Sequence, residues 1–222
     1  MSATKEGKRR RLAASRRFPY NHLLPPRGIK FEKVSQDMQN QLSELRKTYE
    51  RLNINYAVVS AIIEREQDGE KEILIQTRWK PQTDPVYSGT LEIPAGGMNH
   101  YENVYDAVAR EVLEETGLKV TSFKPDIRTK VHSPKGDDCF AFIPFCCQQQ
   151  LKGGWPRVGF VFVCTVEDKV PIPRQGEVKD IRWMKKSELK KVFEENPEKI
   201  FTLQLGVLDY YLNHDESQER IS

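Results

Sequence analysis

The chain has 222 residues, 30% of them charged and 38% hydrophobic, with a formal net charge of +3. That length suits one domain of ordinary size with extensions and leaves enough apolar residues for a real core. No apolar run approaches the length of a membrane span and no signal-peptide pattern opens the chain, so a soluble, cytoplasmic protein is expected.

In chain order, the charge comes first. Residues 1–17 hold Lys5, Lys8, Arg9, Arg10, Arg11, Arg16 and Arg17 against Glu6, a net +6 that leaves −3 for residues 18–222. The basic excess is therefore a property of the tail. Such a run can contact nucleic acid, can act as a nuclear-localisation signal, or can be a solubilising arm, and nucleic-acid binding is not the favoured reading. Residues 18–30 are rich in turn formers, and residues 1–34 are assigned to a basic, flexible extension. From Val34 to Arg51, Met38, Leu42, Leu45, Tyr49 and Leu52 recur every three or four residues. This spacing predicts a leading helix whose apolar stripe needs a partner surface, such as a second subunit. The domain proper is placed at residues 35–214, with residues 215–222 as a frayed, polar end.

Strands are predicted at Asn55–Glu64 and Glu72–Arg78, joined by a hairpin turn around Asp68-Gly69. Residues 81–88 read as a loop and Gly89–Pro94 as a short strand. A helix follows, capped by Asn103, with Asp106 completing a partial capping box and Gly117 supplying a left-handed exit. Further strands are predicted at Val120–Thr129, Asp138–Cys147, Gly159–Val166 and Ile181–Met184. Ser187 is expected to cap one helix and Phe201–Asn213 to form the last. Hairpins and separate helices without a βαβ repeat point to an α+β sandwich with a mixed sheet. Cys139, Cys146, Cys147 and Cys164 show no metal-ligand spacing and are expected as reduced core thiols.

The capped helix carries Glu111, Glu114 and Glu115. At 100° per residue, Glu114 lies about 60° to one side of Glu111 and Glu115 about 40° to the other. Three like charges on one arc repel each other. A hard divalent cation, Mg²⁺ or Mn²⁺, would resolve the repulsion, because it takes oxygen ligands and keeps waters that a phosphate can replace.

The stretch Gly96–Leu118, GGMNHYENVYDAVAREVLEETGL, resembles the signature of the Nudix hydrolases. Gly96, Glu102, Arg110, Glu111, Val112, Glu114, Glu115, Gly117 and Leu118 fill every specified position. The resemblance covers about residues 55–213 and implies a Nudix-type α/β/α sandwich that hydrolyses nucleoside diphosphates linked to another moiety. It implies Glu111 and Glu115 as central metal ligands, Glu114 as a third, and the backbone carbonyl of Ala95 as a fourth. Arg110 and Glu102 read as a structural pair, while Gly96 and Gly97 permit a tight turn and close backbone approach to phosphate.

Ile93–Gly96, IPAG, is similar to the ADP-ribose pyrophosphatase branch. Pro134, sixteen residues beyond Leu118, matches that branch's proline, although Lys135 stands where a glycine is usual. The same resemblance makes Arg78 a contact for substrate phosphate. It also places Glu177 on a mobile loop as a general base, where it can equally be one more loop carboxylate. A homodimer is implied by the same branch. Other substrates remain open: a dinucleoside polyphosphate, a nicotinamide dinucleotide or capped RNA. So does a catalytically idle nucleotide-binding module. Trp79 can stack on a base or simply cover apolar surface, and His100, Asp137 and Asp138 read equally well as loop residues.

Overall fold

Seven consecutive residues of the strand Tyr56–Gln67 (β1), Val58 to Glu64, are buried, so both of its faces are covered and it must lie inside a sheet. The computed structural model describes residues 55–213 apart from Trp155, together with Asn40, Gln41, Ser43, Glu44, Lys47, Thr48 and Arg51. Those seven are helical and mostly exposed, as the polar face of the leading helix should be. The stripe Met38, Leu42, Leu45, Tyr49 and Leu52 lies outside the described residues. So do residues 1–34 and 215–222.

β1 turns at Asp68-Gly69, both with positive φ, into β2 (Glu70–Arg78). Then come β3 (Leu91–Glu92), β4 (Ala95–Gly97), α1 (Val104–Thr116), β5 (Val120–Lys124), β6 (Ile127–Arg128) and β7 (Phe142–Ile143). The chain ends with β8 (Cys146–Gln149), β9 (Arg157–Val166), β10 (Val178–Lys185), α2 (Lys186–Glu195) and α3 (Leu205–Asn213). The main sheet runs β10-β2-β1-β9-β5, with β3 on β2, β4 on β1 and β8 on β9, while β6 and β7 pair separately. β1 and β9 are parallel and the other described pairs antiparallel, so the sheet is mixed.

Alternation along the strands divides the core. Val59, Ala61, Ile63 and Leu74 face α1, packing on Val104, Val108 and Val112. Ile62, Ile73 and Ile75 face Leu189, Leu208 and Tyr211 of the two C-terminal helices. Helices therefore cover both faces of an α+β sandwich.

β1 is forked. Near the hairpin it pairs with β2, from Glu64↔Ile73 to Gln67↔Glu70. Further back it pairs instead with β4, from Ser60↔Ala95 to Val58↔Gly97. The expected single strand Gly89–Pro94 thus becomes two, because the chain changes partner at Ile93-Pro94. The buried amide of Gln204 stitches that change, accepting from Ile93 N at 2.8 Å and donating to Ile93 O at 2.9 Å.

Other expectations are corrected. Asp138–Cys147 is interrupted at Pro144 and gives β7 and β8. Ser187 lies inside α2, which has no side-chain cap, and its hydroxyl donates to Glu70 Oε1 at 2.7 Å. Phe201 is extended, and a 3-10 turn at Thr202–Gln204 precedes α3. All four cysteines are free, but only Cys164 is a core thiol; Cys139 and Cys147 are exposed.

Candidate active site

α1 begins where Asn103 Oδ1 accepts from Tyr105 N at 2.9 Å and ends at Gly117, whose φ of 73° a side-chain-bearing residue rarely adopts. Its apolar stripe docks on the sheet, which turns Glu111 and Glu115 inward, to 8% and 3% exposure.

The carboxylates are held by arginine, lysine, an amide side chain and backbone. Arg110 grips Glu102 with two bonds, Nε to Oε1 at 2.6 Å and Nη2 to Oε2 at 2.8 Å. It also donates to Gly97 O at 2.9 Å and pairs closely with Glu111. The Arg110 hydrogen bonds hold the Glu102 carboxyl down at about 2, and that pairing holds the guanidinium above its ordinary range. Arg110 and Glu102 are thus a brace between loop and helix, as expected.

Glu115 lies in the fork, accepting from Gln76 Nε2 of β2 at 2.8 Å and from Ala95 N of β4 at 3.1 Å. Burial, and then the negative charge of Glu92, pushes its carboxyl up to about 8. Glu92 is itself raised by burial, against the pull of Arg78. Glu114 pairs with Arg174 Nη1 at 3.0 Å, and Arg174 Nε reaches Glu177 at 3.0 Å. Lys80 holds the other oxygen of Glu177 at 3.1 Å. Backbone bonds from Ile172 N to Thr116 O and from Arg174 N to Glu115 O fasten this loop to the end of α1.

Among the described residues, no group of three or more His, Cys, Asp or Glu converges on a cation position. The carboxylates of α1 are engaged elsewhere: Glu111 with Arg110, Glu114 with Arg174 at 3.0 Å and Arg110 at 3.6 Å, and Glu115 with Gln76 and Ala95 N. The donor set nevertheless fits a hard cation. It is made of oxygens, and two of its carboxylates abut the same backbone at Ala95-Gly96. Gln76 Oε1 is also buried without a partner, a spare acceptor beside Glu92 and Glu115.

Gly96 and Gly97 occupy a strand rather than a turn, and neither has positive φ. Their lack of a side chain matters sterically. A Cβ on Gly96 would overlap the Glu111 carboxylate, and one on Gly97 would overlap the Tyr56 hydroxyl.

A cleft of about 740 Å³ lies beyond β4, walled by Glu92, Ala95, Gly96, Gly97, Arg78 and Arg157 among others. Its wall includes none of Glu111, Glu114, Glu115, Glu177 and Pro134. Pro134 sits exposed on a loop laddered to itself through His132 and Cys139. Arg78 is on the wall but bound to Asp84 at 2.6 Å and Glu92 at 3.1 Å, with its guanidinium over the ring of Phe201. Trp79 carries the Lys179 ammonium 3.5 Å from its ring centre. Sequence reasoning passed over Gln76, Glu92, Lys80, Arg157 and Arg174. Gln76 and Glu92 did leave a faint signal, each being polar beside apolar neighbours, Ile73–Ile75 for the one and Leu91 and Ile93 for the other.

A family model described as the NUDIX domain matches residues 55–204, more than half of the chain. The chain belongs to the Nudix family. Membership makes this Nudix chain a pyrophosphohydrolase by class. Solved structures resemble it distantly. The NUDIX domain of Shewanella oneidensis NrtR complexed with ADP ribose is 13% identical, with 76% of this chain and 90% of that one covered and a TM-score of 0.49. A NUDIX-family hydrolase from Clostridium perfringens is 19% identical, covering 72% and 97%, also at 0.49. A C. elegans Ap4A hydrolase binary complex is 13% identical, covering 70% and 94%, at 0.42. Among curated proteins none matches the chain.

Proposed function

We propose that this Nudix protein catalyses Mg²⁺-dependent hydrolysis of the pyrophosphate bond in ADP-ribose or a related nucleoside diphosphate sugar, giving a nucleoside monophosphate and a sugar phosphate. The observation that carries the reading is local. The carboxylates of Glu111 and Glu115 are packed against the Ala95-Gly96 backbone, and those two residues also line the cleft.

Glu111, Glu114 and Glu115, with the Ala95 carbonyl, would hold Mg²⁺ or Mn²⁺. Such an ion would supply charge neutralisation at the phosphate oxygens and would make water more acidic. The rest of the work falls to the chain. Arg110 fixes Glu111 through a brace that also takes in Glu102 and Gly97. Gly96 leaves the room that Glu111 fills. Glu177 is proposed to take the proton of the attacking water once Lys80 and Arg174 release it. Arg78 and the backbone at Gly96-Gly97 line the path of the phosphates, and Pro134 is proposed to lie near the sugar end. The expected homodimer rests on the stripe Met38, Leu42, Leu45 and Tyr49, and light scattering that shows a monomer at micromolar concentration rejects it.

The test is a screen of nucleoside diphosphate derivatives with Mg²⁺, read by phosphate release after phosphatase treatment. ADP-ribose or an ADP-sugar is expected to lead the screen. Glu111→Gln and Glu115→Gln should lose activity by orders of magnitude while melting as wild type does. Near-normal turnover in both variants would reject the assigned site, and preference for a capped oligonucleotide would reject the substrate.

A further inference from the structure

Arg157 is the first residue of β9, whose run RVGFVFVCTV is otherwise apolar or small. Its partner across the parallel ladder is Tyr56 of β1, and β1 pairs in turn with β4 through Val58↔Gly97. The side chain stands on the wall of the cleft that Glu92 and Ala95–Gly97 also line.

A guanidinium presents five N–H donors and keeps its proton, so inside a protein it belongs beside a carboxylate or a phosphate. Arg157 has neither. Among the described residues no carboxylate forms an ion pair with it, and its Nε is buried with no hydrogen-bond partner. Of the other cations on this wall, Arg78 is held by Asp84 and Glu92 and Lys80 by Glu177, while Lys152 is exposed. Burial, followed by the nearby charge of Arg78, lowers the pKa of Arg157 from its ordinary value. Two cations thus stand close together, and among the described residues only Arg78 forms ion pairs, with Asp84 offsetting the charge of Arg157 in part. A buried, uncompensated charge is a net cost to the folded chain, and an anion arriving in the cleft removes that cost.

We infer that Arg157 is the residue that grips the substrate's phosphate, donating from its guanidinium fork to a non-bridging oxygen of the pyrophosphate. Arg78 then acts from behind, holding Glu92 and Asp84 in place. The assignment rests on the reading of the cleft as a pyrophosphate site, and it moves the principal phosphate contact from β2 to β9. The position explains why a charged residue opens an apolar strand. It also explains why a cation without an ion pair among the described residues lines the cleft while Arg78 and Lys80 are neutralised.

The experiment compares wild type with Arg157→Gln and Arg157→Lys in the full chain, by two measurements that do not share a failure. In the first, ADP and inorganic pyrophosphate are titrated calorimetrically in EDTA, and each variant is melted without ligand. Arg157→Gln should lose on the order of tenfold to a hundredfold in affinity for both anions, the range of one charge-assisted contact. Its melting temperature should rise, because the uncompensated charge is gone. In the second, ADP-ribose turnover with Mg²⁺ should show KM raised by a similar factor and kcat within about threefold, the signature of lost uniform binding. Arg157→Lys should recover part of the affinity.

Weaker anion binding by Arg157→Gln together with no wild-type turnover of ADP-ribose would support the anion site and reject the substrate. Unchanged affinity in Arg157→Gln, or wild type binding neither anion, would overturn the inference. A lower melting temperature without ligand would also overturn it, since that marks a structural arginine.

Discussion

Glu102 shows how one side chain at this site can be weighed. Its carboxylate takes two bonds from Arg110 and one from Asn99 N at 2.7 Å, and these hold it at about 2. The folded pKa is depressed, so the stabilisation is fully present above the ordinary value near 4.5 and is lost as pH falls towards about 2. Glu102→Gln should therefore be less stable than wild type at neutral pH, by about 2 kcal/mol for a charge-assisted pair. The gap should close as pH drops from about 4.5 to about 2. Urea melts across that window check it, and a gap that stays constant would mean that the carboxylate's charge contributes nothing. Arg110 and Glu102 were legible as a pair because the signature fixes their spacing. For Gln76, Glu92 and Arg157 only the residue type was visible, because each gains its meaning from a neighbour on another element.

At the scale of the element, α1 was legible nearly to the residue. Its start and stop are local chemistry: a capping amide and a left-handed glycine. Asn103→Ala should cost about 1 kcal/mol and lower the melting temperature by about 2–4 °C in a domain of this size. A variant that melts with wild type would show that the amide of Tyr105 finds another acceptor. The hairpin at Asp68-Gly69 was legible for the same reason. The short strands were not. Nothing within residues 89–97 says that Glu92 pairs towards β2 while Ala95 pairs towards β1, since pairing is decided by the partners. Ser187 misled because a hydroxyl near a helix start can cap or can reach outside, and Glu70 of the neighbouring hairpin claims it.

For the whole molecule, the α+β class followed from the absence of βαβ repeats, and no helix among the described residues is long and apolar enough to cross a membrane. The parallel pairing of β1 with β9, Tyr56 against Arg157, could not be read, since a hundred residues separate them. It is nevertheless what brings the cleft wall beside the signature. The thiols were misread for a related reason. An apolar neighbourhood in sequence promised a core for four, and the edge strand β8 and an exposed loop left only Cys164 inside.

The fork in β1 sets how this chain can tolerate changes in length. Side chains alternate along a strand, so one residue inserted after Pro94 would slide β4 by one place against β1. Ala95 N would leave Glu115, and a residue with a side chain could arrive where Glu111 needs an empty backbone. At the hairpin tip around Asp68-Gly69, which is exposed and lines no part of the cleft, several residues can be gained or lost. Relatives of this chain should accordingly vary in length at that tip and keep the interval from Glu92 to Gly97 unchanged. The interval is a ruler between two strands, and the active site is read off its far end.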